Sequence, residues 1–130
     1  MAKSSYVWSG SAWVEIASAF PQAHQRGIVT SALTSYTLGV NDTGKAIVFS
    51  SSSSTTLTIP DDSTYNFNTG QTFVVVQNGT GVVSITTEDV ATLTSSVATG
   101  TVDLNGQYAV STLMKISNDT WVVYGDIVSP

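Results

Sequence analysis

Clusters of turn-forming residues recur along this chain at roughly the 8 to 12-residue spacing of an all-β domain. They are Asn41-Asp42-Thr43-Gly44, Pro60-Asp61-Asp62-Ser63, Asn68-Thr69-Gly70, Asn78-Gly79-Thr80-Gly81, Asn105-Gly106 and Asn118-Asp119. Between them lie runs that are β-branched, aromatic or alternating, at 35–39, 45–50, 55–59, 71–77, 82–86, 90–95, 107–117 and 121–125. Composition agrees: 19 Ser, 19 Thr and 17 Val suit pleated strands joined by polar turns better than helices. We therefore expect a single all-β domain of about eight antiparallel strands, with β-sandwich, jelly-roll-like and barrel closures open. A length of 130 residues suits one core.

Two stretches sharpen the expectation. Thr72-Phe73-Val74-Val75-Val76 is nearly continuous in apolar character, as in a central strand covered on both faces. Tyr108, Val110, Thr112, Met114 and Ile116 alternate with Ala109, Ser111, Leu113 and Lys115, and Asn118-Asp119 then turns the chain into Trp121-Val122-Val123-Tyr124. Tyr108, Val110, Met114 and Ile116 are expected in the core, with Ala109 or Leu113 on the opposite face. Leu38, Ile47, Phe49, Leu57, Ile59, Phe67, Phe73, Val75, Ile85, Leu93 and Val123 complete the expected interior. The run Ser50 to Ser54 reads as a solvated loop or strand extension.

The beginning of the chain reads differently. Tyr6-Val7-Trp8 and Ala12-Trp13-Val14-Glu15-Ile16 flank Ser9-Gly10-Ser11 as a hairpin would, and residues 17–27 have neither period. Residues 1–30 are thus expected to be a hairpin and extended arm, and 31–130 the β domain. A lone hairpin is not stable in water, so Trp8 and Trp13 must dock on their own domain or on another subunit.

Residues for chemistry are few. There is no Cys and one His, His24, which lies in the arm with no nucleophile motif to serve. Asp61-Asp62 and Glu88-Asp89 occupy turn sequences, and Asp103-Leu104-Asn105-Gly106 is a calcium-loop fragment without its remaining ligands. We expect no catalytic set, no metal and no cofactor. A net charge of -5 with 10% charged residues, against a typical ~25%, argues against nucleic acid as a partner. No apolar run reaches the ~18 residues of a membrane span, and the opening Met-Ala-Lys-Ser-Ser lacks an apolar signal core, so synthesis in a cytoplasm is expected.

From residue 35 to 126 the order of phrases is distinctive. It runs Asn41-Asp-Thr-Gly-Lys45, Ile47-Val-Phe49, Thr56-Leu-Thr-Ile-Pro60, Phe67-Asn-Thr-Gly70, Val74-Val-Val-Gln-Asn-Gly79, Gly106-Gln-Tyr108, Leu113-Met-Lys115 and Thr120-Trp-Val-Val-Tyr-Gly125. This order resembles a small β-rich structural module of tailed bacteriophages, found in capsid decoration (cement) proteins and in tail-fibre-type virion proteins. Tyr6-Val-Trp8-Ser-Gly10-Ser-Ala-Trp13 is similar to short Trp-containing phrases in such proteins.

The resemblance implies a non-enzymatic virion protein without an active site. A 130-residue chain has no room for the anchor, shaft and tip of a whole fibre, so capsid decoration comes first. Its partners would be the major capsid protein and copies of itself, as a homotrimer on local three-fold positions. The expected contact residues are Tyr6, Trp8, Trp13, Phe20 and Arg26, because aromatic and arginine side chains anchor most interfaces. The alternatives are a tail-fibre, baseplate or vertex appendage contacting host-surface glycan, and a polysaccharide-cleaving enzyme using Asp61, Asp62, Glu88 and Asp89 between subunits.

Overall fold

The computed structural model describes residues 26–130, together with the backbone of Tyr6–Trp8 (β1) and Trp13–Glu15 (β2). β1 and β2 pair antiparallel, with Tyr6 opposite Glu15 and Trp8 opposite Trp13, so the expected hairpin is present.

From residue 27 the chain alternates between two sheets. Strands β3 (Gly27–Ser31), β5 (Lys45–Phe49) and β7 (Thr72–Gln77) enter one; β4 (Ser35–Thr37), β6 (Thr55–Ile59) and β8 (Val83–Thr87) enter the other. Crossing over and back between strands of one sheet reverses the chain twice, so β3–β5–β7 and β4–β6–β8 are parallel ladders. The last part closes this coil: β9 (Thr92–Thr94), β10 (Val102–Leu104), β11 (Val110–Ser117), β12 (Thr120–Gly125) and β13 (Ile127–Val128). β11 is antiparallel to β7 and β12, β10 is antiparallel to β8 and β13, and β12 is parallel to β9. The sheet orders are β3-β5-β7-β11-β12-β9 and β4-β6-β8-β10-β13.

The protein is thus all-β, but the expected antiparallel arrangement of about eight strands is corrected to eleven strands in two mixed sheets over residues 27–130. Most turn clusters are corners between the two sheets; among the described residues beyond β2, Asn118-Asp119 links adjacent antiparallel strands, as expected, with Asp119 at φ 49°. Strands β10 and β13 are too short to show a period. Gly27–Ser31, read as the end of the arm and first residue of the domain, is edge strand β3 on β5.

The corners are pinned by backbone. Asn78 and Gly79 donate to the carbonyl of Phe49, and Gly81 donates to that of Ser51, at 2.8, 3.0 and 3.1 Å. The serine run therefore stacks on the β7–β8 corner as one strand stacks on the next. A Cβ at Gly79 or Gly81 would overlap the Ser51 or Ser53 carbonyl oxygen.

Buried side chains from both sheets make one cluster, including Ile47, Phe49, Leu57, Ile59, Phe73, Val75, Ile85, Leu113 and Val123. Phe67 packs edge-on against Phe73 and Trp121, with ring centroids 5.0 and 5.9 Å apart. Trp121, 1% exposed, is the largest fully buried side chain among the described residues.

One strand has the opposite phase to that expected. Ala109, Ser111, Leu113 and Lys115 point inward, Tyr108, Val110 and Ile116 are exposed, and Met114 is half-buried. Register decides it: Leu113 lies opposite both Phe73 and Val123, and Lys115 lies opposite Trp121, so β11 must turn those residues inward with them.

Candidate functional site

The register of the six-stranded sheet spells out its outer face. One row is Ile28–Ala46–Val74–Thr112–Tyr124, the next Thr30–Val48–Val76–Val110, and a third Thr72–Met114–Val122–Thr94. None of these thirteen residues is charged, and Ile28, Tyr124 and Val110 are 62%, 53% and 45% exposed. Along these rows Ala46 is only 5% exposed, and Val48, Val74, Val76, Thr112, Met114 and Val122 are half-buried.

The five-stranded sheet is built by the same coil and turns out a different chemistry. Its rows are Ser35–Thr56–Ser84–Asp103–Val128 and Thr37–Thr58–Thr86. Ser84 donates to Asp103, and Thr101 donates to Thr86 at 2.9 Å. The asymmetry between the faces resides in the side chains, because the backbone plan is shared.

The titratable groups at the sheet ends are occupied with structure. Lys115, 1% exposed, donates to Asp62 Oδ1 at 2.6 Å, Asn66 Oδ1 at 2.7 Å and the Phe67 carbonyl at 2.7 Å, which uses all three ammonium protons. Asp62 Oδ2 accepts from the Asp119 N–H, while the Asp62 N–H donates to Asp119 Oδ1. The β6–β7 connection is thereby tied to the β11–β12 turn. Asp61 accepts from the Ser63 hydroxyl and the Thr64 N–H, and those bonds, Ser63 first, hold its pKa below the usual carboxylate value. Glu88 Oε2 accepts from the Asp61 N–H and the Thr64 hydroxyl.

Asp61 and Glu88 are therefore neighbours through Thr64 and the Asp61 N–H, while both oxygens of Asp62 bind partners on β11 and in the β11–β12 turn. Among the described residues no three His, Cys, Asp or Glu side chains group as a metal site needs. Asp103, read as part of a turn, lies on β10 and accepts from Ser84. A cleft of about 250 Å³ lies between the 3₁₀ turn Val40–Asp42 and the β6–β7 connection, with Tyr65, Asn66, Asn68 and Gln71 on its wall. Nearby, Tyr36 donates to Asp42 at 2.6 Å; burial first, then that bond and the Asp42 charge, push its pKa up to about 12.

Of the expected contact residues, Arg26 is exposed immediately before β3. The side chains of Tyr6, Trp8 and Trp13, and Phe20 and His24 entirely, lie outside the described residues. The outer-face residues were not singled out from sequence, although a signal exists: 73–76 and 121–124 are apolar at both parities. In the run 72–76 that pattern was expected to mean cover on both faces, whereas Val74 and Val76 are only half-buried.

No family model matches the chain, and no curated protein matches it.

Proposed function

We propose that this chain is a non-enzymatic virion structural protein, a β-sandwich that binds the outside of a bacteriophage shell as a capsid decoration protein and stabilises it. The observation that carries the structural role is the uncharged outer face of the six-stranded sheet, set beside Asp62, whose two oxygens hold Lys115 and the Asp119 N–H. The virion setting rests on the phage-module resemblance of residues 35–126. In this reading the coat subunits and copies of the chain are its partners, and the segment carrying Tyr6, Trp8, Trp13, Phe20 and Arg26 contributes contacts to them. Decoration acts by mass action: a subunit that binds only the assembled shell shifts the equilibrium toward it.

The test is the ratio of this chain to major coat protein in purified particles, by quantitative mass spectrometry. On the order of hundreds of copies is the expected result for a lattice-bound protein. Absence from particles removes the virion reading.

A second reading, a tail-fibre, baseplate or vertex appendage contacting host-surface glycan, is favoured by the cleft at Tyr65. An aromatic ring beside Asn66, Asn68 and Gln71 offers stacking and amide hydrogen bonds to a sugar. A few copies per particle, with glycan binding lost in Tyr65→Ala, would select it.

A further inference from the structure

We propose that Asn105 is a site of spontaneous covalent modification: its side chain closes on the Gly106 backbone nitrogen and reopens as aspartate or isoaspartate, which loosens β13 from β10. The inference is independent of the decoration reading.

Asparagine is thermolabile because the backbone nitrogen of the next residue can attack its Cγ. A new N–Cγ bond closes a cyclic succinimide, the Cγ–Nδ2 bond breaks, and ammonia leaves with the proton that the backbone nitrogen gave up. Water then opens the ring. Addition at Cγ yields aspartate, and addition at the main-chain carbonyl yields isoaspartate, whose backbone runs through Cγ. No oxidant or reductant enters. The reaction is easiest before glycine, which has no Cβ to crowd the attacking nitrogen.

Two asparagines here precede glycine, Asn78 and Asn105, whereas Asn41, Asn66, Asn68 and Asn118 precede residues with side chains. The fold treats the two differently. The N–H groups of Asn78 and Gly79 both donate to the Phe49 carbonyl, at 2.8 and 3.0 Å, and the Ser50 and Ser51 carbonyls crowd Gly79. Such a nitrogen keeps its proton and cannot turn onto Cγ without breaking the corner. At the second site the Gly106 N–H has no acceptor among the described residues. No atom beyond its chain neighbours lies within 4 Å of a Cβ built there, and Asn105 is exposed. Gly106 also has φ 146°, so the turn itself calls for the glycine that makes Asn105 reactive. One bond holds the Asn105 side chain, from Nδ2 to Asp126 Oδ1 at 3.0 Å, and water competes for it because both residues are exposed.

That bond decides the consequence. The nitrogen that leaves is the one that donates to Asp126, and the product sets a carboxylate against the Asp126 carboxylate in its place. The Asn105 N–H donates to the Asp126 carbonyl at 3.1 Å, directly beside the Leu104–Ile127 pair. Strand β13 is two residues long and lies at the sheet edge, where β10 is its neighbour. Repulsion or an extra backbone carbon at residue 105 therefore acts on the pairing that holds β13.

The test is incubation of the full chain at mildly alkaline pH, followed by peptide mapping for a gain of one mass unit and by methyl transfer from an isoaspartyl methyltransferase. In the native chain Asn105 should convert about tenfold or more faster than Asn78, and in concentrated urea the two should convert at similar rates. Equal native rates, faster conversion at Asn78, or no native conversion at Asn105 while the unfolded chain converts there, each overturn the proposal. A native ratio that persists in urea overturns it too, because the fold would not then be selecting the site. Asn105→Asp makes the product directly, and the hydrogen-exchange protection of the residue-105 N–H should fall about tenfold. Asn105→Asp/Asp126→Asn, which again faces an amide with a carboxylate, should restore it. Unchanged protection in Asn105→Asp, or no recovery in the double variant, overturns the loosening by like charge.

Discussion

Lys115 shows how far a single residue's environment can override its type. Lysine is almost never fully buried unless paired, and here three acceptors from the β6–β7 connection surround the ammonium. Removing it leaves Asp62, Asn66 and a carbonyl without their donor. Lys115→Met should therefore cost about 3 kcal/mol, read as a lower urea midpoint at unchanged slope. Ser111 makes the opposite case, because its buried hydroxyl has no protein partner. Ser111→Ala should be neutral or stabilising by up to ~1 kcal/mol in the same assay. Tyr36 brings a pH dependence. Its folded pKa of about 12 lies above the ordinary 10.0, so the contribution is fully present below pH 10 and is lost as pH rises toward 12. Thermal midpoints of the parent chain should fall across that window, and Tyr36→Phe should flatten the fall.

At the scale of elements, position in the chain was legible and direction was not. Thr55–Ile59 and Thr72–Gln77 stand where their β-branched runs end in turn residues, since both signals are local. Whether such a turn closes a hairpin or carries the chain to a second sheet depends on which distant strand waits there. Asn78-Gly79 has the composition of a tight hairpin turn, yet it is a corner between β7 and β8, which never pair. The corner's glycines serve close approach. Gly81→Ala must push the 50–54 segment off the β7–β8 corner and is expected to destabilise by about 2 kcal/mol or more, whereas Gly44→Ala, with open space at its Cβ but φ at 71°, should cost only about 1 kcal/mol. Equilibrium denaturation of both variants checks the order.

At the scale of the molecule, one core shared by two sheets implies that residues 27–130 lose their structure together. In a Trp8→Phe/Trp13→Phe chain, where Trp121 is the remaining tryptophan, its fluorescence and far-ultraviolet circular dichroism should then trace coincident unfolding curves, and separate midpoints would contradict the shared core. The two outer faces differ in chemistry, hydroxyls on the five-stranded sheet and Val, Met and Tyr on the six-stranded one.

By itself the sequence determined that the chain is β, where most of its strands and turns lie, and most of its core. These follow from nearest neighbours along the chain: β-branching, alternation and turn chemistry. Only the tertiary structure decided that the ladders β3–β5–β7 and β4–β6–β8 are parallel, that β11 turns Leu113 and Lys115 inward, and that one outer face is left uncharged. Each of those is set by register between residues far apart in sequence. A one-residue slip in pairing exchanges core for surface, and no local pattern records which pairing wins.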